Sequence, residues 1–257
     1  MKGRALTLVL VALLAPAAHA TDAFEIQVYD SDINAPWTPG VELHLNWVTL
    51  GRDTPAYRGA VPTDQLVHMT LEPALGITDF WELGCYIQGA WDPKGAGGGD
   101  AWFGGAKLRS KFVVPRTVSD IFDLGINFEV SWVPHRFEES PWGSEIRPIL
   151  GVRYGGFELH VNPILSFGWS GEKVGVPDFE PCGKVMWDTT LGFGVGVEYY
   201  TGLGKIDHIP AFEKQEHAVF IAFDLIDGPI ELNAAVGRGL TEASNPWTLK
   251  AIIGKSF

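Results

Sequence analysis

From Val41 onward, apolar residues recur at every second position. Val41, Leu43, Leu45 and Trp47 share one phase, and Glu42, His44 and Asn46 share the other. The alternation then sets Val67, Met69 and Leu71 against His68, Thr70 and Glu72. It sets Trp81, Leu83, Cys85, Ile87 and Trp91 against Glu82, Tyr86 and Gln88. Next, Ala106, Leu108, Phe112 and Val114 oppose Lys107, Arg109 and Lys111, and the run from Leu124 to Trp132 opposes Asp123, Asn127, Glu129 and Ser131. Seven further segments follow, over 146–154, 157–165, 185–187, 193–199, 219–225, 230–236 and 247–257. Period two with one greasy and one charged face predicts strands, twelve in all.

The connections alternate in length. Short turns fall near 76–79, 115–120, 155–156, 189–190 and 227–229, and Gly/Pro/charge-rich loops near 51–63, 92–100, 134–143, 168–179, 202–214 and 239–246. An even set of strands with one tight rim and one loose rim predicts an all-β, up-and-down antiparallel barrel. Alternation alone does not say which face is wet. A soluble barrel turns its apolar phase inward, whereas an outer-membrane barrel gives that phase to lipid and keeps its charges in the lumen.

Aromatic placement decides for the membrane. On the apolar phase, Trp47, Trp91, Trp102, Trp132, Trp169, Tyr199 and Trp247 fall at the long-loop ends of their strands. Trp81, Phe122, Tyr154, Phe157, Trp187 and Phe257 fall at the short-turn ends, with aliphatic residues between. Two girdles around an aliphatic band match the two interfaces of a bilayer. Pro73, Pro148, Pro163 and Pro181 also sit on this outward phase, where a closed sheet needs every ladder donor. If the turn is centred on Gly155-Gly156, Pro148 and Pro163 oppose each other, and an irregularity is expected there.

The first twenty residues carry Lys2 and Arg4, an apolar run of about a dozen residues, and Ala18-His19-Ala20, the pattern of a cleaved signal peptide. The predicted organisation is a signal over 1–20, an N-terminal periplasmic arm or plug over 21–40, and the barrel over 41–257. Phe24, Ile26 and Val28 alternate with Glu25, Gln27 and Tyr29, which fits an extra strand, an arm or a plug equally. The net charge is −12, and −14 once Lys2 and Arg4 are gone. That excludes nucleic acid as a partner. Cys85 and Cys182 occupy unlike contexts and are expected to stay unpaired.

The polar phase supplies the candidate lumen lining: Glu42, His44, Glu72, Glu82, Lys107, Arg109, Lys111, Glu129 and Arg147. Lys107, Arg109 and Lys111 project at successive inward positions of one strand, toward acids such as Glu82 and Glu129. Such a lining serves either as a selectivity wall or as a packed set of ion pairs that stiffens the barrel. No catalytic residue, cofactor motif or metal set emerges. Asp30-Ser31-Asp32-Ile33-Asn34 opens like a calcium loop but has Ala35 and Val41 where Gly and a carboxylate belong. Gly192, Gly194 and Gly196 lie in a strand with no helix after it, which excludes a dinucleotide fingerprint. Inward His44, His68 and His160 have no serine partner in sequence.

The stretches FEIQVY (24–29), VELHLN (41–46), LEPALG (71–76), WELG (81–84), KLRSKFV (107–113), WGSEIRP (142–148) and EYY (198–200) span most of the mature chain. They resemble a group of Gram-negative outer-membrane β-barrel proteins similar to the outer-membrane protein of the phenol meta-pathway. The resemblance implies a barrel and, through its label, transport, with no defined substrate. The expected function is a passive pore for small solutes, apolar or aromatic ones among them. The alternatives are a structural barrel with a plugged lumen and a hydrolase at the rim. Partners are expected to be outer-membrane lipid, periplasmic chaperones and the barrel-assembly machinery. The chain's final strand, with Leu249, Ile253 and terminal Phe257, resembles the signal that this machinery reads.

Overall fold

The computed structural model describes residues 22–95, 99–171, 174–225 and 228–257; the signal-like segment 1–20 lies outside them. Fourteen strands pair antiparallel throughout. They are β1 (Pro39–Leu50), β2 (Val67–Thr78), β3 (Trp81–Asp92), β4 (Asp100–Val113), β5 (Phe122–Trp132), β6 (Trp142–Tyr154) and β7 (Phe157–Asn162). There follow β8 (Leu165–Gly168), β9 (Asp178–Phe179), β10 (Cys182–Asp188), β11 (Phe193–Gly202), β12 (Glu216–Leu225), β13 (Glu231–Gly239) and β14 (Trp247–Ser256). β1 pairs with β2 on one side and β14 on the other, and β5 pairs with β6, so the sheet closes on itself.

The fourteen strands make twelve staves. β7 and β8 both pair with β6 in one continuous register, Leu150 facing Val161 and Ile146 facing Leu165. β9 and β10 form the next stave, through Leu165–Phe179 and Asn162–Cys182. These registers put Pro148, Pro163 and Pro181 in a single row across three staves. Each lacks the N–H a ladder needs, and the row is where β7 gives way to β8 and β9 to β10. The irregularity expected there is present. At Pro73 the β2–β3 ladder skips likewise, between Leu71–Ile87 and Ala74–Gly84.

Exposure settles which face meets lipid. Leu108 is 69 % and Ile221 74 % exposed, while His44, Thr70, Gln88, Asn127, His160 and Asn162 are wholly buried. So many exposed aliphatics would be untenable in water and are what a bilayer solvates. Trp47, Trp91, Trp132, Trp187, Trp247 and Phe257 all face outward and exposed, with Trp81 half-buried beside them. Neighbouring girdle rings stack, as in Trp81–Phe112 at 5.9 Å and Phe157–Trp187 at 6.2 Å. Leu249 and Ile253 lie on the outward face of β14, and the Phe257 N–H donates to Pro39 O at 3.0 Å, tying the last residue to the first strand.

One girdle assignment needs correction. Trp102 does not face lipid. The β3–β4 register passes from Gln88–Gly105 to Gly89–Phe103, so Gly104 is an extra residue in β4, and Gly105 takes a φ of +134°. The bulge shifts the phase of everything before it. Phe103 therefore takes the outward place, stacking on Trp132 at 6.0 Å, and Trp102 turns inward beneath the loops. Cys85 and Cys182 are both free, the first on the outer face and the second in the lumen.

Candidate functional site: an ion-paired lumen holding the N-terminal segment

Residues 22–38 run through the lumen as an extended segment that joins no ladder. Wall side chains bind its backbone along its length. Asn46 Nδ2 donates to Ala23 O (3.0 Å), Thr70 Oγ1 to Phe24 O (2.9 Å) and Lys250 Nζ to Ile26 O (3.1 Å). Arg147 donates to Gln27 O at 3.3 Å and Lys111 to Asp32 O at 2.7 Å. At Tyr29 the pairing runs both ways, with the backbone N–H donating to Asn162 Oδ1 and Asn162 Nδ2 donating back to Tyr29 O. These contacts satisfy backbone groups that have no sheet partner.

Charge holds the same segment. Between 22 and 38 it contains Asp22, Glu25, Asp30 and Asp32 and no Lys, Arg or His. Lys107 meets Asp22, Glu25 (3.4 Å) and Glu129 (3.0 Å), and Arg147 meets Glu145 (2.7 Å) and Glu25 (3.4 Å). Further toward the short turns, Lys184 pairs with Asp30 at 3.3 Å, and Arg116 and Arg153 pair with Asp32 at 2.7 and 3.0 Å. Arg109 sits between Glu72 (2.7 Å) and Glu82 (2.8 Å), whose Oε2 also accepts from Asn34 N–H. All nine predicted lumen residues thus face inward, and Glu42 and His44 meet at 3.4 Å. In place of a calcium loop, Asp30 and Asp32 are occupied by wall cations.

Two apolar patches complete the seat. Ile26 and Val28 pack on Ile164, Cys182, Met186, Tyr200, Phe220 and Ala222 of the inner wall. Phe24 sits beneath the long loops with Leu66, Ala90 and Val133, flanked by Trp102 and Phe137; its ring meets Phe137 edge-on at 5.3 Å. Sequence reasoning passed over these patches. The signal was available: Cys182, Met186, Ala218, Phe220 and Ala222 are apolar residues on the polar phase. Tyr29 was missed too. Its ring lies under the Arg147 guanidinium at 4.2 Å, and its hydroxyl donates to Glu25 at 2.7 Å.

Below the patches, toward the short-turn rim, a cavity of about 430 Å³ remains, its described lining holding ten carboxylates against six Lys or Arg. The hydrolase alternative gains nothing from the geometry. Ser31 Oγ donates to Asp123 (2.6 Å), and His160 contacts the other oxygen of the same carboxylate at 2.5 Å. Aspartate stands between serine and histidine, the reverse of what nucleophile activation needs.

A closed barrel with an aliphatic outer band, two aromatic girdles and a polar interior is an outer-membrane β-barrel. No protein-family description and no curated protein matches the chain in sequence. Among solved structures the fold is similar to the COG4313 outer membrane channel from Pseudomonas putida F1, with a TM-score of 0.57 and 11 % identity over 91 % of this chain and all of that one. It is also similar to the KdgM porin in complex with disordered oligogalacturonate, with a TM-score of 0.53 and 8 % identity over 85 % of this chain and 99 % of that one.

Proposed function

We propose that this chain is a passive outer-membrane pore for small solutes, kept shut by its own N-terminal segment. The observation that carries the reading is the way residues 22–38 are held. The contacts are side chain to backbone and ion pairs, with backbone-to-backbone bonds to the wall only from Trp37 and Thr38 to Gly76 at the rim among the described residues, and no ladder joins the rest of the segment to the wall. The segment can therefore leave without breaking the barrel, and a wet, charged lumen is what it leaves behind. The likeness to channel structures supports the fold in which such a pore is built. The apolar inner patch covered by Ile26 and Val28 favours solutes with an apolar or aromatic body. We place the chain with the Gram-negative barrels that resemble the phenol meta-pathway protein, exported by a signal cleaved after Ala20 and assembled through the β14 signal ending in Phe257.

Deleting residues 22–38 after the signal tests the pore. Refolded into planar bilayers, the shortened barrel should conduct steadily where the full chain is mostly silent, and acid-rich walls should make the current cation-preferring. A shortened barrel that still shifts on heating in SDS gels, yet passes no current, would favour the structural-barrel alternative.

A further inference from the structure

One side-chain cluster in the lumen meets the N-terminal segment through Gln27, whose Nε2 donates to Glu42 Oε2 at 3.5 Å. Glu42 on β1 and Glu72 on β2 stand directly opposite each other and both face inward. Like charges directly opposite destabilise a ladder unless something positive intervenes. The barrel contains a second such pair, Glu129 and Glu145 on β5 and β6, and there Lys107 and Arg147 neutralise both members at 3.0 and 2.7 Å. At Glu42–Glu72, among the described residues, only Glu72 has a fixed cation, Arg109 on its Oε1. The remaining group is an imidazole. His44, wholly buried, places Nε2 at 3.1 Å from Glu72 Oε2 and 3.4 Å from Glu42 Oε2. A third acid approaches from the other side. Glu231 and Glu42 both pair with Gly254 of β14, and a β-carbon there would lie 3.3–3.4 Å from each of their side chains.

We propose that Glu42, His44 and Glu72 form a divalent-cation site inside the barrel, suited to zinc. Ligand atoms held roughly 2.0–2.2 Å from a tetrahedral zinc stand about 3.3–3.6 Å apart. Both distances from His44 Nε2 come close to that edge, and all three donors lie within 4.8 Å of one another. One imidazole and two carboxylates are donors zinc accepts, and three protein ligands leave a fourth position for water. The cavity lined by Glu42 and Glu72 supplies that water and a route in from the short-turn rim. Arg109 on Glu72 Oε1 leaves Oε2 for the metal and fixes the carboxylate's orientation, as outer contacts of metal ligands do. The rival arrangement is an imidazolium shared between the two carboxylates with no metal.

The site needs the barrel but not its conduction, so a barrel that passes no current would still bind. Untagged mature protein, refolded in detergent and stripped with a chelator, is titrated with zinc chloride in a calorimeter. One saturable equivalent is expected. His44→Ala and Glu72→Gln should each weaken it by about 100-fold or more, beyond what loss of an outer contact costs. Asp178→Asn, which removes an ion pair with Lys205 at the opposite rim, should leave it unchanged. Absence of binding in the wild type, or equal binding in His44→Ala, overturns the site. Heat-shifted migration verifies closure of each variant. If His44→Ala does not close, Glu42→Gln, whose side chain is 34 % exposed, carries the same test with the same two outcomes.

Discussion

Arg147→Met should cost the barrel about 3–5 kcal/mol of stability, the range for breaking a buried ion pair by removing one partner. Arg147 is 2 % exposed and touches four things at once: Glu145, Glu25, the carbonyl of Gln27 and the face of Tyr29. Methionine fills a similar volume but leaves Glu145 without its cation and Glu25 with Lys107 alone, and Glu129 opposite Glu145 adds a further negative charge. Urea unfolding in lipid vesicles measures the loss. Two companion variants locate it. Adding Glu145→Gln should restore part of the stability, because the stranded charge is then gone. Deleting residues 22–38 first should shrink the penalty, since Glu25 leaves with the segment. A loss of equal size in all three backgrounds would mean that packing, not charge, accounts for it.

A second large effect is expected from Gly76→Val, read as expulsion of the N-terminal segment. Gly76 faces inward on β2 where the segment enters; its carbonyl accepts from Trp37 N–H at 2.7 Å and its N–H donates to Thr38 O at 3.2 Å. A β-carbon there would lie 2.1 and 2.3 Å from the carbonyl oxygens of Asn34 and Ala35. Backbone cannot yield that much locally, so the segment must move. The strand itself welcomes valine. The variant should close normally, as judged by heat-shifted migration, and should conduct like the shortened barrel. Its Arg- and Lys-free segment can be followed by a fluorophore on Ser31→Cys in a background lacking both native cysteines. A quenched, buried label in the Gly76→Val protein would show the segment still seated.

The strand count, the alternating connections and the lipid-facing phase could all be read from the chain because period two is a property of each strand alone. The opposition of Pro148 and Pro163 was legible for the same reason, once a turn at 155–156 fixed the register; that Pro181 extends the row was not. Trp102 was not. Its direction depends on one surplus glycine in β4, visible only when β3 is laid beside it. The destination of residues 22–38 was open for a different reason: alternation of Phe24, Ile26 and Val28 with Glu25, Gln27 and Tyr29 suits any environment with one dry and one charged side. The lumen of this barrel turns out to be such an environment. Inward residues could be listed from phase, but which cation meets which acid depends on stagger between staves, and no single strand encodes that.

The seam between β1 and β14 has a consequence for how the molecule comes to exist. Gly40 pairs with Ser256, 216 positions later in the chain, so this contact carries nearly the largest loop-closure entropy available to it. Nothing local in the chain helps the two strands find each other. The N-terminal segment hangs from the same strand, at the same rim. Circularisation of the sheet and seating of residues 22–38 therefore meet at one place, the β1 edge of the ring. With the signal cleaved after Ala20, as proposed, a chain end would lead the segment in and no loop would have to be threaded.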